Sequence, residues 1–180
     1  MKQAIEKVYL ESSRLLDLAR EDTLKVNIST IKREFYSLKF MASVIHNELC
    51  REFFYLVLNP TIGTSKIISL GPLILKLYEA NNWYFKFGNK RLRELACERG
   101  LNSLCDEKLR ELKSLKPSRI EKYTVVGNKL AGHYDLNYFE LVEEFSITDS
   151  DEFFDDVLVL ITYGKRWLQL LQSIGKLDSE

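Results

Sequence analysis

The stretch Ile31–Leu56, IKREFYSLKFMASVIHNELCREFFYL, decides the architecture. Its apolar positions Ile31, Phe35, Leu38, Ala42, Ile45, Leu49, Phe53 and Leu56 recur at spacings of 4, 3, 4, 3, 4, 4 and 3 residues. Only a helix, at about 3.6 residues per turn, places such a series on one face. Asn27 or Ser29 caps its start, and Asn59-Pro60 ends it, because proline drives the residue before it out of the helical region. So long a stripe requires a partner helix of similar length, as in an antiparallel bundle.

The flanks read the same way. A first helix is expected over residues 3–20, with Ile5, Val8, Leu15, Leu16 and Leu18 as a loose apolar face. Residues 59–66 (NPTIGTSK) read as a loop. The apolar and aromatic run 67–86 reads as a helix starting near Ser69 or Pro72, continuing to about Phe87 and broken at Gly88-Asn89. Residues 90–99 form a short helix closed by Gly100, and 105–115 another stopped by Pro117. Ser118 with Glu121 makes a capping box for a helix reaching Ala131-Gly132. Residues 134–149 fit a loop, a short helix or an irregular turn. A last helix starts near Ser150–Asp151, where acids favour the positive end of the dipole, and carries Phe154, Val157, Leu158, Ile161, Leu168, Leu171 and Ile174. No internal repeat, linker or alternating strand pattern appears, so residues 1–180 are expected to form one all-α domain, an antiparallel bundle of long helices.

Composition narrows the function classes. Lys plus Arg number 26 and Asp plus Glu number 26, so nucleic acid is not bound through bulk charge; phosphate contacts must come from a local patch. Cys50, Cys97 and Cys105 form no C-x-x-C pair and are too few for a disulfide framework. Free thiols fit a reducing, cytoplasmic setting. No run approaches the ~18 apolar residues that span a membrane, and the charged N-terminal stretch has no secretory h-region. The Walker, Rossmann, H-E-x-x-H and G-x-S-x-G motifs are missing, so neither cofactor nor metal is called for.

The candidate chemistry is sparse. There are two histidines, His46 and His133. His46 reads as a partly exposed or internally satisfied helix residue. Its spacing is taken to exclude pairing with Glu48 or Cys50, since two-residue separations point apart on a helix. The aromatic run Trp83–Phe87 reads as the buried end of a helix rather than a base-stacking platform. Residues 140–156 hold eight carboxylates and no Lys or Arg; they read as a solvated helix start rather than a magnesium site. His133 stands apart. Arg119, Lys122, Val126, Lys129 and His133 follow one another at 3, 4, 3 and 4 residues, a single helical face. Residues 106–130 carry seven basic against four acidic side chains. A phosphodiester at this face would meet the cations of Arg119, Lys122 and Lys129 and a group that titrates near neutrality.

The phrase Tyr123–Asp135, YTVVGNKLAGHYD, resembles the signature of HEPN domains, particularly the abortive-infection U-type branch. That signature runs from an Arg, usually followed by a polar residue, to a His several residues on. Asn128, Lys129, Ala131, His133 and Asp135 match it in type and spacing. The resemblance implies a helical homodimer and a metal-independent endoribonuclease of a bacterial defence or toxin–antitoxin-like system. RNA would be its substrate, and an antitoxin or larger defence complex its partner. It further implies His133 as general acid–base, Lys129 and Asn128 on phosphate, and Asp135 orienting the imidazole. The motif arginine is replaced by Gly127, which supplies no charge or donors. Lys129 offers a cation without a bidentate fork. The alternative is a catalytically degenerate helical module that dimerises or docks on a partner protein.

Overall fold

The computed structural model describes residues 2–25, 30–59, 64–117, 119–120, 123 and 150–176. Helix α1 is Lys2–Lys25, α2 Thr30–Leu58 and α3 Thr64–Asn82. A π-helical segment, Trp83–Gly88, joins α3 to α4, Asn89–Glu98. Helix α5 (Asn102–Leu112) ends in a 3₁₀ turn, Lys113–Leu115, and α6 is Ser150–Lys176. Among the described residues there is no strand, as the sequence periodicity requires. No described helix is long and apolar enough to cross a membrane.

Helix α2 is the axis of the bundle, and its contacts give the directions of its neighbours. Tyr9 stacks on Phe54, Asn47 bonds Ser12 and Ser13, and Lys39 pairs with Asp22, so α1 runs antiparallel to α2. Glu48 meets Lys76, Ala42 meets Tyr84 and Glu34 meets Arg91, so the α3–α4 rod is also antiparallel. Phe53 packs on Phe154, while Gly164 and Gly175 face His46 and Phe35, which makes α6 the third antiparallel neighbour. Phe35, Leu38, Ala42, Leu49 and Phe53 are buried as their spacing demands. Burial of side chains such as Trp167, Leu73, Leu77, Leu160 and Leu171 supplies the cohesion, at about 1.5–3 kcal/mol for each large apolar side chain.

Several boundaries differ from expectation for identifiable reasons. Helix α1 is longer than residues 3–20, and its buried line is Ile5, Ser12 and Ala19, with Val8 and Leu18 exposed. Leu158 of α6 likewise faces outward. Helix α3 begins at Thr64, inside the stretch expected to be loop, and runs through Pro72. Pro72 removes one backbone rung, and the buried Leu70, Leu73, Ile74 and Leu77 around it hold the helix together. Gly88-Asn89 does not break the chain. Gly88 keeps helical angles (φ −57°, ψ −47°), and the Asn89 N–H bonds the Tyr84 carbonyl five residues back, widening the turn instead of ending it. Gly100, at φ +68°, does close α4: Leu101 N–H bonds Ala96 O at 2.8 Å and Gly100 N–H bonds Cys97 O at 3.0 Å, a Schellman cap. The caps proposed at Asn27, Ser29 and Ser118–Glu121 lie outside the described residues, as do residues 134–149.

Candidate functional site

Of the residues singled out for chemistry, Asn128, Lys129, His133, Asp135, Lys122 and the departure at Gly127 lie outside the described residues. Arg119 lies within them, and its partners are close. Its Nε donates to Asp156 Oδ2 at 3.0 Å, its Nη1 meets Glu152 Oε2 at 2.6 Å, and its Nη2 donates to the Glu152 carbonyl at 2.9 Å. Tyr123 Oη donates to the same Asp156 oxygen at 3.0 Å. Burial and the bond to Asp156 raise the Tyr123 phenol, so it stays a neutral donor. The Arg119 guanidinium is held charged, first by its bond to Asp156. Asp156 is not part of a solvated helix start, as its sequence context suggested; it is buried and gathers both donors. The cluster ties Arg119 and Tyr123 to the first two turns of α6. Arg119 thus has a structural assignment to two carboxylates, in place of the open cationic face drawn from spacing.

A second polar cluster lies inside the bundle, centred on His46. A two-residue separation excludes Glu48 as a partner but not Cys50, which is four residues on, the separation that a helix brings together. His46 Nε2 stands 3.8 Å from Cys50 Sγ, and its Nδ1 has no hydrogen-bond partner among the described residues. The imidazole is neither exposed nor fully satisfied. Glycine at 164 allows this approach: a Cβ there would lie 2.7 Å from Tyr84 Oη and 2.9 Å from His46 Nδ1. Tyr84 Oη reaches the Ala42 carbonyl at 3.5 Å. Above the cluster, Lys165 and Glu11 pair at 2.9 Å across α6 and α1.

Cysteine–histidine proximity suggests a nucleophilic pair, and the electrostatics run against one. Desolvation lowers His46 to about 4; Glu11 opposes the shift and Lys165 adds to it. Burial pushes Cys50 up to about 12, against the bond from Ser12. An active pair needs thiolate and imidazolium, and both groups here are held neutral. Tyr84, fully enclosed, is raised well above the ordinary phenol range. The cluster positions helices. Among the described residues no group of three or more His, Cys, Asp or Glu side chains could hold a metal ion.

The aromatic run has a divided fate. Tyr84 is buried, Trp83 is half-buried against Trp167, and Phe87 is 54% exposed. Asn89 fastens this region to α6, its Oδ1 accepting from Tyr163 Oη at 2.9 Å and Trp167 Nε1 at 2.8 Å. Comparisons of the chain with protein-family models, with curated proteins and with solved structures give no match.

Proposed function

We propose that the chain is a HEPN-like helical domain whose chemistry, cleavage of RNA without a metal, is centred on His133. The observation that carries this reading concerns the other histidine. His46 is enclosed and held neutral, so acid–base work by histidine in this chain falls to His133. In the proposed reaction His133 moves protons as a ribose 2′-hydroxyl attacks, Lys129 and Asn128 contact the phosphate, and Asp135 orients the imidazole. Lys122 and Lys129 carry the RNA-binding charge, Arg119 being engaged by Asp156 and Glu152. The setting is a bacterial defence or toxin–antitoxin-like system in the cytoplasm, with a homodimer as the working unit.

Cleavage of a labelled single-stranded RNA in the presence of EDTA tests the reading. The parent protein is expected to cut, His133→Ala to be inactive, and Gly127→Arg to cut faster by restoring the motif arginine. Unchanged cleavage by His133→Ala would overturn it.

A second reading has its own support. Gly127 removes the motif arginine, and Arg119 is committed internally, which weakens the cationic face. On that basis the domain is a non-catalytic module that dimerises or docks on a partner protein. Absence of cleavage by both the parent and Gly127→Arg, together with a stable complex by light scattering, selects this alternative.

A further inference from the structure

Between the first half of α2 and the π segment lies an open groove of about 400 Å³, lined in part by Arg33, Met41, Trp83, Phe87 and Arg91. That volume falls in the usual range for small-molecule sites. Its aromatic wall is built by local backbone geometry. The π turn sets Trp83 and Phe87 side by side, with ring centroids 6.2 Å apart and planes tilted by 46°. Gly88 lets the indole lie across the helix, since a Cβ there would come within 2.8 Å of the Trp83 ring. Such π turns recur at functional sites, because they hold side chains where an α-helix would not. Met41, 46% exposed, extends the apolar floor.

The charges decide what the groove accepts. Arg91 is satisfied by Glu94 at 2.6 Å and Glu34 at 3.4 Å. Arg33 is exposed and has no ion pair among the described residues. An uncompensated guanidinium therefore borders an aromatic wall. A guanidinium binds carboxylate or phosphate through its planar fork, and aromatic faces stack on planar rings. We propose that this groove binds a small planar aromatic ring carrying one anionic group, with the ring against Trp83 and Phe87 and the anion on Arg33. The proposal does not rest on the chemistry of His133.

The two tryptophans make the test direct. Trp167 is buried, its indole N–H bonded to Asn89, whereas Trp83 borders the groove. In ¹⁵N-labelled full-length protein, indole-3-acetate or adenosine monophosphate should move the Trp83 indole signal and leave that of Trp167 in place. The uncharged counterparts, indole-3-acetamide and adenosine, should bind roughly tenfold more weakly, the size expected from losing one charge-assisted contact. Arg33→Gln should bring the charged probes down to the level of the uncharged ones, and Phe87→Ala should weaken all four. Both side chains are exposed, and circular dichroism checks that the fold persists. A response to only one charged probe supports the site for that combination of ring and anion. The proposal is overturned if Trp83 does not move at millimolar probe, if Trp167 moves instead, if charged and uncharged probes bind alike, or if Arg33→Gln changes nothing.

Discussion

His46 and Asp156 are equally enclosed, each 3% exposed, yet the first is neutral and the second sits in an ion pair. The difference lies in what the neighbouring helices offer. Around His46 stand Cys50 and Tyr84, both held neutral, and a Glu11 already shared with Lys165. Among the described residues no anion there is free to stabilise an imidazolium, so desolvation decides. Asp156 receives a guanidinium and a phenol, so its charge is met in place. Burial alone does not predict ionisation; the supply of partners does.

The contrast can be broken most severely at Asp156. Replacing it with Ala removes the acceptor shared by Arg119 and Tyr123 and is expected to cost about 3 kcal/mol, the scale of two hydrogen bonds to a charged acceptor. Urea unfolding measures it, and a loss under about 1 kcal/mol would show the cluster to be incidental.

The His46 side of the comparison is sharpened by acid. A histidine whose pKa drops from 6.5 to about 4 on folding binds its proton more readily when unfolded. Its contribution is fully present above pH 6.5 and is lost as the pH falls toward 4, by about 3 kcal/mol in all. His46→Leu should flatten that part of the pH dependence; equal slopes for variant and parent between pH 6.5 and 4.5 would contradict a buried neutral imidazole.

Gly164 permits the packing of both His46 and Tyr84 on α6. Gly164→Ala places a methyl within 2.7 Å of the enclosed Tyr84 hydroxyl, which should destabilise by about 1–3 kcal/mol through overpacking. A neutral result in thermal unfolding would mean that Tyr84 relaxes freely. The smallest effect concerns thiols. Of the three cysteines only Cys97 is exposed, so native protein should react with one equivalent of Ellman's reagent and denatured protein with three. A second fast thiol would place Cys50 or Cys105 nearer to solvent.

How far the sequence could be read depends on where the deciding contacts sit. Local spacing was sufficient for α2, because its stripe refers only to itself. Gly100 was equally readable, since a left-handed residue after a helix is a local requirement. Gly88 was misread as a break because its role depends on Trp83 lying across it and on Asn89 being gripped by Tyr163 and Trp167, 74 and 78 residues away. A start near Ser69 or Pro72 gives way to Thr64 for a similar reason: local rules count the missing rung and cannot count the core on either side. The His46–Cys50 contact is legible in the sequence as an i,i+4 spacing. The groove at Trp83 had none, because Arg33 and Phe87 meet only through the antiparallel pairing of α2 with the α3–α4 rod.

By itself the sequence determined an all-helical chain, the length and inward face of its central helix, the closing turn at Gly100 and the motif that sets His133 apart. Those are consequences of periodicity and of single-residue backbone preference. Only the tertiary structure decided which charged groups are spent internally, as with Arg119 on Asp156 and Glu152, and that His46 is sealed from solvent. The physical reason is that ionisation and availability depend on desolvation and on partners from other helices, and neither is written in the spacing of one segment.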